Sequence, residues 1–409
     1  QALTPILAGT SLPAQLWRQW QTIPASERRA QPVNLIRVDL LQDRAGQWKL
    51  VEANSIAAGM GPFSEGLAQI QQELWPDLVQ AGLVSASVPP VFAPNPAVDT
   101  LADALDMAAM QQVRVLQHLQ ASASAQAARM QPARVQRVGA SIPAQSLAST
   151  TPLIVFVVEP NEDNIFDQRK IAQALEQRGC RVVRLTLPEI DARLDRAQAP
   201  LCVLRDIGVV HALYFRTGYN PADYRSGETH DTSRLLRLRA ELETLQIALA
   251  PTIPLQLASA KAVQAHWAAN INDGVDFAAL HTGHQFMHDL CAPNISDWSE
   301  WLLKSQGEGG GNVVQGDAIP LQLEKLTTKK KPDWLLMRRI HVTPRSQVVP
   351  MLRKGRIEFV RHLMSELGLF VLGDDLHDGG YLLRSKPVHA LETGVHRGEG
   401  MIDVVALAG

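Results

Sequence analysis

The sequence predicts an α/β domain with a doubly wound parallel sheet, followed by an α+β region. Between residues 151 and 258, strand-like apolar runs alternate with amphipathic helical runs, which is typical of a parallel sheet covered by helices. From about residue 255 onward, short strands are separated by glycine-rich or charged turns. Ligands of parallel sheets collect beyond the carboxyl ends of the strands. We therefore expect PNEDN at 160–164 and RTGYNP at 216–221 to lie near a binding site.

The first 150 residues contain a helical start, a hairpin and a long helical segment. NLIRVDLLQDRAGQWKLVEANS reads as two strands joined by the turn DRAGQ. Residues 61–150 are rich in alanine, glutamine and serine, and residues 99–120 have the apolar spacing of a helix. Residues 121–150 are predicted to be weakly ordered or linker-like.

The later elements follow in order. TPLIVFVVEP is a buried strand, NIFDQRKIAQALEQRG is a helix closed by Gly179, and CRVVRLTLPEI is a second strand. HALYFRTGY is a further strand and DTSRLLRLRAELETLQ a further helix. WLLK, DWLLMRRI, RIEFVRHL and YLLRSKPV are short strands of the carboxyl-terminal region.

Composition narrows the class of protein. A chain of 409 residues predicts two or three domains, and 46% apolar with 20% charged residues fits a globular enzyme. A net charge of −2 gives no global field to gather nucleic acid. The apolar runs are too short to span a membrane, and the start lacks the basic region of a signal peptide. Three scattered cysteines argue against a zinc site or disulfide framework, so a cytoplasmic location is predicted.

Several catalytic patterns are missing from the sequence. It contains no G-x-x-x-x-G-K-[ST] phosphate loop, and GEGGGN does not follow the Rossmann glycine pattern. It also contains no G-x-S-x-G and no H-E-x-x-H. Hydrolytic nucleophiles and zinc catalysis are therefore disfavoured.

Two segments carry possible oxygen ligands and phosphate contacts. In WKLVEANS the strand period of two places Glu52 and Asn54 on one face, where they are either Mg²⁺ ligands or an ordinary polar strand end. LLKSQGEGGGNVVQGD, residues 302–317, joins Lys304 and Glu308 to three glycines. This segment is either a solvated hinge or a flap over phosphates.

Charged residues inside apolar strands need partners. Arg37, Arg216 and Arg384 all lie in such strands, and their guanidinium groups suit carboxylates or phosphates. For Arg37 an alternative partner is close by, Asp39 at i+2, and Glu366 is a carboxylate in a similar setting. Together with lysines at 261, 304 and 386, this inventory fits an ATP-driven ligase that acts on a carboxylate-rich substrate.

The chain resembles eukaryotic-type glutathione synthetases, members of the ATP-grasp superfamily. Four blocks carry the resemblance in the family's order: KLVEANSIAAGMG; NEDNIFDQRKI with YFRTGYNPADY; LLKSQGEGGGNVVQG; and SELGLF followed by LLRSKPV. It extends from about residue 35 to near the end and is poor over residues 61–150. It implies an ATP-grasp fold with an inserted doubly wound substrate domain at 151–258, core segments at 1–150 and 259–409, and a glycine-rich lid at about 304–340.

The resemblance also implies roles for individual residues. Glu308, Lys304 and Arg384 would be catalytic, and Glu52, Asn54 and Glu308 would bind two Mg²⁺ ions. The residues implied to bind ATP are Glu52, Lys261, Lys304, Glu308, Gly309, Gly310, Gly311, Asn312, Met337, Arg338, Arg339, Ile340, Glu366, Lys386 and Glu392. The residues implied to bind the dipeptide and acceptor are Arg37, Ile56, Ala57, Ala58, Gly59, Glu162, Asp163, Asn164, Gln168, Arg216, Thr217, Gly218, Tyr219, Arg384, Val395 and His396.

The resemblance implies a reaction that joins γ-glutamylcysteine to glycine through an acyl phosphate, with ATP as co-substrate. All the expected partners are therefore small molecules, and neither nucleic acid nor a membrane is expected. The expected assembly is a homodimer. Some residues depart from the family pattern. Ala57 and Gly59 stand where serines are usual, Gln315 replaces a tyrosine, and His396 with Arg397 replaces small residues. A ligase with another γ-glutamyl peptide or acceptor amine, or a non-catalytic binding descendant, is therefore the alternative.

Overall fold

The fold is given by a computed structural model that describes most of the chain. The described residues are 3–84, 90–129, 151–162, 164–225, 231–270, 284–286, 295, 297–307, 313–373, 377–390, 395 and 400–407.

Helices and strands are numbered in chain order. The described α-helices are α1 (Leu3–Ile6), α2 (Leu12–Gln21), α3 (Gly61–Gln80), α4 (Ala97–Arg129), α5 (Ile165–Gln177), α6 (Leu187–Arg193), α7 (Ser233–Leu242), α8 (Ile253–Ala258), α9 (Lys261–Asn270) and α10 (Ala318–Lys325). The described strands are β1 (Gln31–Pro32), β2 (Leu35–Gln42), β3 (Trp48–Asn54), β4 (Leu153–Val157), β5 (Arg181–Leu185), β6 (Val203–Leu204), β7 (Gly208–Val209), β8 (Ala212–Phe215), β9 (Ala248–Ala250), β10 (His284–Phe286), β11 (Trp301–Ser305), β12 (Val313–Gln315), β13 (Trp334–Arg338), β14 (Val349–Arg353), β15 (Arg356–Val360), β16 (Leu363–Leu372), β17 (His377–Pro387) and β18 (Met401–Asp403). None of the helices in the described ranges has the length and apolar character needed to cross a membrane.

The predicted parallel sheet is present, in the order β1-β9-β8-β4-β5. Strands β4, β8 and β9 are buried along their whole length, as expected when both faces of a sheet are covered. One face packs on apolar side chains of α2, α6, α7 and α8, and the other packs on α4 and α5. The doubly wound arrangement predicted for this part of the chain is therefore confirmed.

Two features of the amino-terminal part were not predicted. Strand β1 pairs in parallel with β9, so the segment before the hairpin completes the parallel sheet. Helix α4 continues to Arg129, nine residues into the stretch predicted to be linker-like. Residues 121–129 contain neither proline nor glycine, and alanine, the commonest residue among them, has the highest helix propensity. Residues 130–150 lie outside the described residues.

The second large sheet is antiparallel, in the order β18-β17-β16-β2-β3. The predicted hairpin forms its β2–β3 edge, and β16 inserts between β2 and β17. Phe370, Leu372 and Leu382 of this sheet join the same apolar cluster as α4 and the parallel sheet. The two sheets therefore share one core, which fixes the ends of β2 and β3 against the parallel sheet.

A third sheet, β10-β13-β11-β12, contains the predicted strands WLLK and DWLLMRRI. Its own core consists of Trp301, Leu303 and Leu336 with neighbouring apolar side chains. Asp333, just before β13, accepts hydrogen bonds of 2.7 Å from Oγ1 of Thr10 and 2.9 Å from the backbone N of Ser11. The amino-terminal helices are thus tied to this sheet as well as to the parallel sheet.

Candidate active site

A cavity of about 660 Å³ lies where the three sheets meet. The antiparallel sheet contributes β2, β3, β16 and β17, the third sheet contributes β11 and β13, and α9 contributes its first residue, Lys261. Asn164 and Tyr219, from the segments that follow β4 and β8, complete the wall. The expectation that these two segments lie near a binding site is consistent with this placement.

Most of the predicted site residues that are described line this cavity. They are Arg37, Glu52, Asn54, Ile56, Ala57, Ala58, Gly59, Asn164, Tyr219, Lys261, Lys304, Met337, Arg339, Ile340, Glu366, Arg384, Lys386 and Val395. Six described candidates do not line it: Glu162, Gln168, Arg216, Thr217, Gly218 and Arg338. The candidates outside the described residues are Asp163, Glu308, Gly309, Gly310, Gly311, Asn312, Glu392 and His396.

Strand register gathers the charged residues onto one face of the antiparallel sheet. Arg37 lies opposite Asn54, and Asp39 lies opposite Glu52. Glu366 lies opposite Arg384 on the neighbouring strand pair. Directly opposed residues on antiparallel strands point to the same face. The predicted shared face of Glu52 and Asn54 is therefore part of a larger charged surface.

Asp39 is the centre of this surface and is fully buried. Its carboxylate accepts from Arg37 at 2.6 and 2.8 Å, from Nη2 of Arg384 at 3.0 Å and from Nδ2 of Asn54 at 3.1 Å. Gly368 makes room for this group, because a Cβ there would lie 2.7 Å from Oδ1 of Asp39. The alternative partner foreseen for Arg37 is thus the one that the structure shows.

Glu52 lies beside two lysines on the cavity wall. Its Oε2 atom is 3.7 Å from Nζ of Lys261 and 3.9 Å from Nζ of Lys304. Burial alone would raise the pKa of Glu52, but the positive charges of Lys261, Lys304, Arg37 and Arg384 lower that pKa to about 2. The carboxylate is therefore ionised at neutral pH. Lys261 also donates to the backbone O of Gly307 at 3.2 Å.

Arg384 joins two carboxylates. Its Nη2 atom donates to Glu366 and to Asp39. Burial alone would lower the pKa of Arg384, but the charges of Glu366, Asp39 and Glu52 raise it above its ordinary value. Its buried Nε atom has no hydrogen-bond partner among the described residues. Arg384 is therefore held in the cavity wall mainly through its Nη2 atom.

Arg216 and Asp167 form a buried ion pair directly behind the cavity wall. Nη2 of Arg216 donates to Oδ2 of Asp167 at 2.6 Å, and its Nη1 donates to the hydroxyl of Tyr214 at 2.9 Å. Asp167 also accepts from the backbone N of Met60 at 3.0 Å. A Cβ at Gly59 would lie 2.4 Å from Nη2 of Arg216. The ion pair therefore occupies the space that a side chain at residue 59 would need.

The segment after β8 is fixed by hydrogen bonds to its backbone. Oδ2 of Asp223 accepts from the backbone N of Gly218 at 2.9 Å and of Tyr219 at 3.0 Å. The backbone O of Gly218 accepts from the hydroxyl of Tyr224 at 3.1 Å and from Nε2 of Gln256 at 2.9 Å. Gly218 has a φ of +93°, which favours glycine at this turn. Tyr219 is thus presented to the cavity by a preorganised loop.

Apolar side chains and further basic residues also line the cavity. Leu302, Val342, Met364 and Val388 line it together with the predicted Met337 and Ile340. Arg44, His341 and His389 also line the cavity and were not predicted. Arg338 instead lies over the ring of Trp301, 5.1 Å from its centroid.

The residues present fit an Mg²⁺ ion beside phosphates. Glu52 is ionised, and Asn54 uses its Nδ2 atom on Asp39, so its amide oxygen is available to a ligand. Mg²⁺ is commonly held by one or two protein oxygens together with substrate phosphates. No group of three or more acidic, histidine or cysteine side chains suited to a metal occurs in the described ranges. The third predicted ligand, Glu308, lies outside them.

Three functional residues were not singled out from the sequence as site residues. Asp39 orders the arginines, Gly368 provides the space for it, and Asp167 neutralises Arg216. Strand alternation gave a usable signal for Asp39, since it lies on the same face of β2 as Arg37. Asp167, in the first turn of α5, showed no comparable signal, because acidic residues are common at helix starts.

Comparisons with known proteins agree with this geometry. Residues 152–258 match the family model described as eukaryotic glutathione synthase, and residues 277–407 match the eukaryotic glutathione synthase ATP-binding domain. Relatives include the chloroplastic glutathione synthetase of Solanum lycopersicum, 31% identical over 279 residues, and the glutathione synthetase of Mus musculus, 30% identical over 288 residues. Each alignment covers 62% of this chain, and 49% and 57% of the respective relative. The chain spans about half the length of the curated relatives it matches.

A solved structure shares the fold over nearly the whole chain. It is the apo form of a glutathione synthetase-like effector from Globodera pallida, with a TM-score of 0.60 and 14% sequence identity. The match covers 97% of this chain and 80% of that chain. The two family-model matches describe one family and together make up more than half of the sequence. The chain therefore belongs to the eukaryotic glutathione synthase family.

Proposed function

We propose that the chain is an ATP-dependent ligase with an ATP-grasp fold that joins γ-glutamylcysteine to glycine. The observation that carries this proposal is the charge arrangement in the cavity. Lys261, Lys304 and Lys386 lie on its wall, and the first two lie beside the ionised carboxylate of Glu52. Hydrolytic nucleophiles have no recognised sequence pattern in this chain, whereas phosphoryl transfer needs mainly positioning and charge.

In the proposed reaction, a carboxylate oxygen of the dipeptide attacks the γ-phosphorus of ATP, and ADP leaves. The amine nitrogen of glycine then attacks the acyl carbon, phosphate leaves, and the amine loses a proton to solvent. The lysines hold the phosphates, and Arg384, whose side chain lines the cavity, holds an anionic group of the substrate. Mg²⁺, held by Glu52 and Asn54 with Glu308, would supply positive charge against the phosphate oxygens.

The glycine-rich segment is proposed to cover the acyl phosphate. Such an intermediate must be kept from water until the amine reaches it. Its flank is fixed, since Lys304 sits in β11 and Gly307 accepts from Lys261. Two Mg²⁺ ions and a homodimer, which the resemblance implies, and a cytoplasmic location, which the cysteine pattern predicts, belong to this proposal. Light scattering of the purified chain tests the dimer.

A second acceptor amine is the alternative, favoured by His396 and Arg397 in the sequence. A guanidinium near the acceptor would suit an amine that carries an additional carboxylate. The same assay distinguishes the two proposals.

The test measures ADP release with ATP, Mg²⁺ and γ-glutamylcysteine against a panel of acceptor amines. We expect release that requires both the dipeptide and glycine, and that is abolished in Glu308→Ala. Glu358→Gln, in the exposed β14–β15 hairpin, is the matched control. ADP release that is independent of the dipeptide, or its absence with every amine, would sink the ligase assignment.

A further inference from the structure

A second, much smaller cavity lies directly behind the candidate active site. Its volume is about 20 Å³, enough for one water molecule. Asn54, Ile56 and Tyr219 line both cavities and form the wall between them. The rest of its lining comes from α2, from α8 with the two residues that follow it, and from Gln306.

Two buried glutamine side chains in this lining each have one unpaired polar atom. Gln256 is 8% exposed and Gln306 is 3% exposed. Oε1 of Gln256 and Nε2 of Gln306 have no hydrogen-bond partner among the described residues. Buried polar atoms of this kind are costly to leave unpaired.

Rotating either amide by half a turn does not solve the problem, because the other end of each amide is already used. Nε2 of Gln256 donates to the backbone O of Gly218 at 2.9 Å, and Oε1 of Gln306 accepts from the backbone N of Ala262 at 3.3 Å. A rotated Gln256 would turn its carbonyl toward a carbonyl. A rotated Gln306 would turn its amino group toward an N–H. The cavity therefore presents one acceptor and one donor.

We propose that this cavity binds a single water molecule, which donates to Oε1 of Gln256 and accepts from Nε2 of Gln306. Ser259 and Tyr219, whose hydroxyl oxygens can accept its second proton, are in the same lining. A buried water with two to four polar partners is a regular part of a folded protein.

The water would connect two segments of the active site. Gln256 holds Gly218 in the loop that presents Tyr219, and Gln306 follows the strand that carries Lys304. The link is independent of the ligase proposal, since it rests on the packing of the small cavity alone.

A crystal structure of the full chain, at a resolution that shows ordered water, tests the proposal. We expect a water peak about 2.7–3.2 Å from both amide atoms. A direct hydrogen bond between the two glutamines, or a cavity without density, would overturn it.

Variants supply an independent measurement in solution. Gln256→Met and Gln306→Met should each lower the unfolding temperature by roughly 1–3 °C. The double variant should lose less than the sum, because either substitution already removes the shared water. Gln47→Met, at an exposed position, is the control and should leave the temperature unchanged. Additive losses in the double variant would contradict a shared water.

Discussion

The Oε2 atom of Glu52 lies 3.7 Å from the Nζ atom of Lys261, at the meeting point of a hairpin strand and the first turn of a helix. The helix places a positive charge beside the negative charge of the strand, in a cavity whose lining contains several further charged side chains. The positive charge of Lys261 helps to keep the pKa of Glu52 low, so that the carboxylate is ionised when no substrate is bound. The pair also holds the lysine near the position that a phosphate would take in the proposed reaction.

Replacing Glu52 by glutamine should reduce ADP release by about a hundredfold or more, because the carboxylate proposed to hold Mg²⁺ beside the phosphates is lost. The glutamine side chain has nearly the same size as glutamate, but it removes the negative charge that lies beside Lys261 and Lys304. Steady-state ADP release at saturating ATP measures this effect, with Glu358→Gln as the control. Near-normal turnover in Glu52→Gln would remove this residue from the proposed machinery.

The stabilising contribution of Glu52 should depend on pH in a defined window. Its folded pKa, about 2, lies below its ordinary value of 4.5. The ionised carboxylate therefore stabilises the fold fully above about pH 4.5, and this contribution is lost as the pH falls toward 2. Urea unfolding of the wild type and Glu52→Gln at several pH values should show a difference that shrinks with acidification. A difference that grows below pH 4.5 would contradict the lowered pKa.

Lys304→Ala and Lys386→Ala should weaken nucleotide binding more than dipeptide binding. Both lysines are nearly buried in the cavity wall, and removing one partner of a desolvated charge contact typically costs about 2–5 kcal/mol. Calorimetric titration with a non-hydrolysable ATP analogue measures the loss. The exposed Lys354→Ala is the matched control. Unchanged affinity in both cavity variants would show that these lysines do not bind the nucleotide.

Gly59→Ser should disturb the Arg216–Asp167 pair. The added Cβ would lie 2.4 Å from Nη2 of Arg216 and 2.9 Å from Oδ2 of Asp167. We expect a loss of unfolding free energy of about 1–3 kcal/mol, as for other overpacked interiors. Gly66→Ala, a helical position with nothing within 4 Å of the added atom, should instead be neutral or stabilising. If both variants have wild-type stability, the pair adjusts without cost.

The double variant His396→Ala with Arg397→Ala tests the acceptor. We expect glycine to be the acceptor in the wild type and acceptor preference to be unchanged by the double variant. ADP release against the amine panel is the measurement. A marked gain with glycine, together with loss of another amine, would instead show that these two residues select a different acceptor.

Much of the fold was predictable because its elements carry strong local signals. Strand alternation in WKLVEANS gave the shared face of Glu52 and Asn54, and the uninterrupted apolar run LIVFVV gave a fully buried parallel strand. The hairpin turn and the helix closed by Gly179 were also readable from short stretches.

The contacts that could not be predicted from the sequence join residues that are far apart along the chain. Asp167 pairs with Arg216, 49 positions away, and Asp39 contacts Arg384, 345 positions away. Neither separation leaves a local pattern. Strand β1 could not be predicted for the same reason, because its two residues form a strand only by pairing with the distant β9.

The attachment of Thr10 to Asp333 has a consequence for biosynthesis. The two residues are 323 positions apart, so at about 5–20 residues per second the first turn of α2 waits roughly 15–65 s for its partner to leave the ribosome. Strand β2 waits longer still for β16, and the proposed reaction cavity cannot assemble until nearly the whole chain has been made. During that interval the edge of β2 that later pairs with β16 is open to other molecules. Folding of this chain should therefore depend on how well this edge of β2 is protected until β16 has been made.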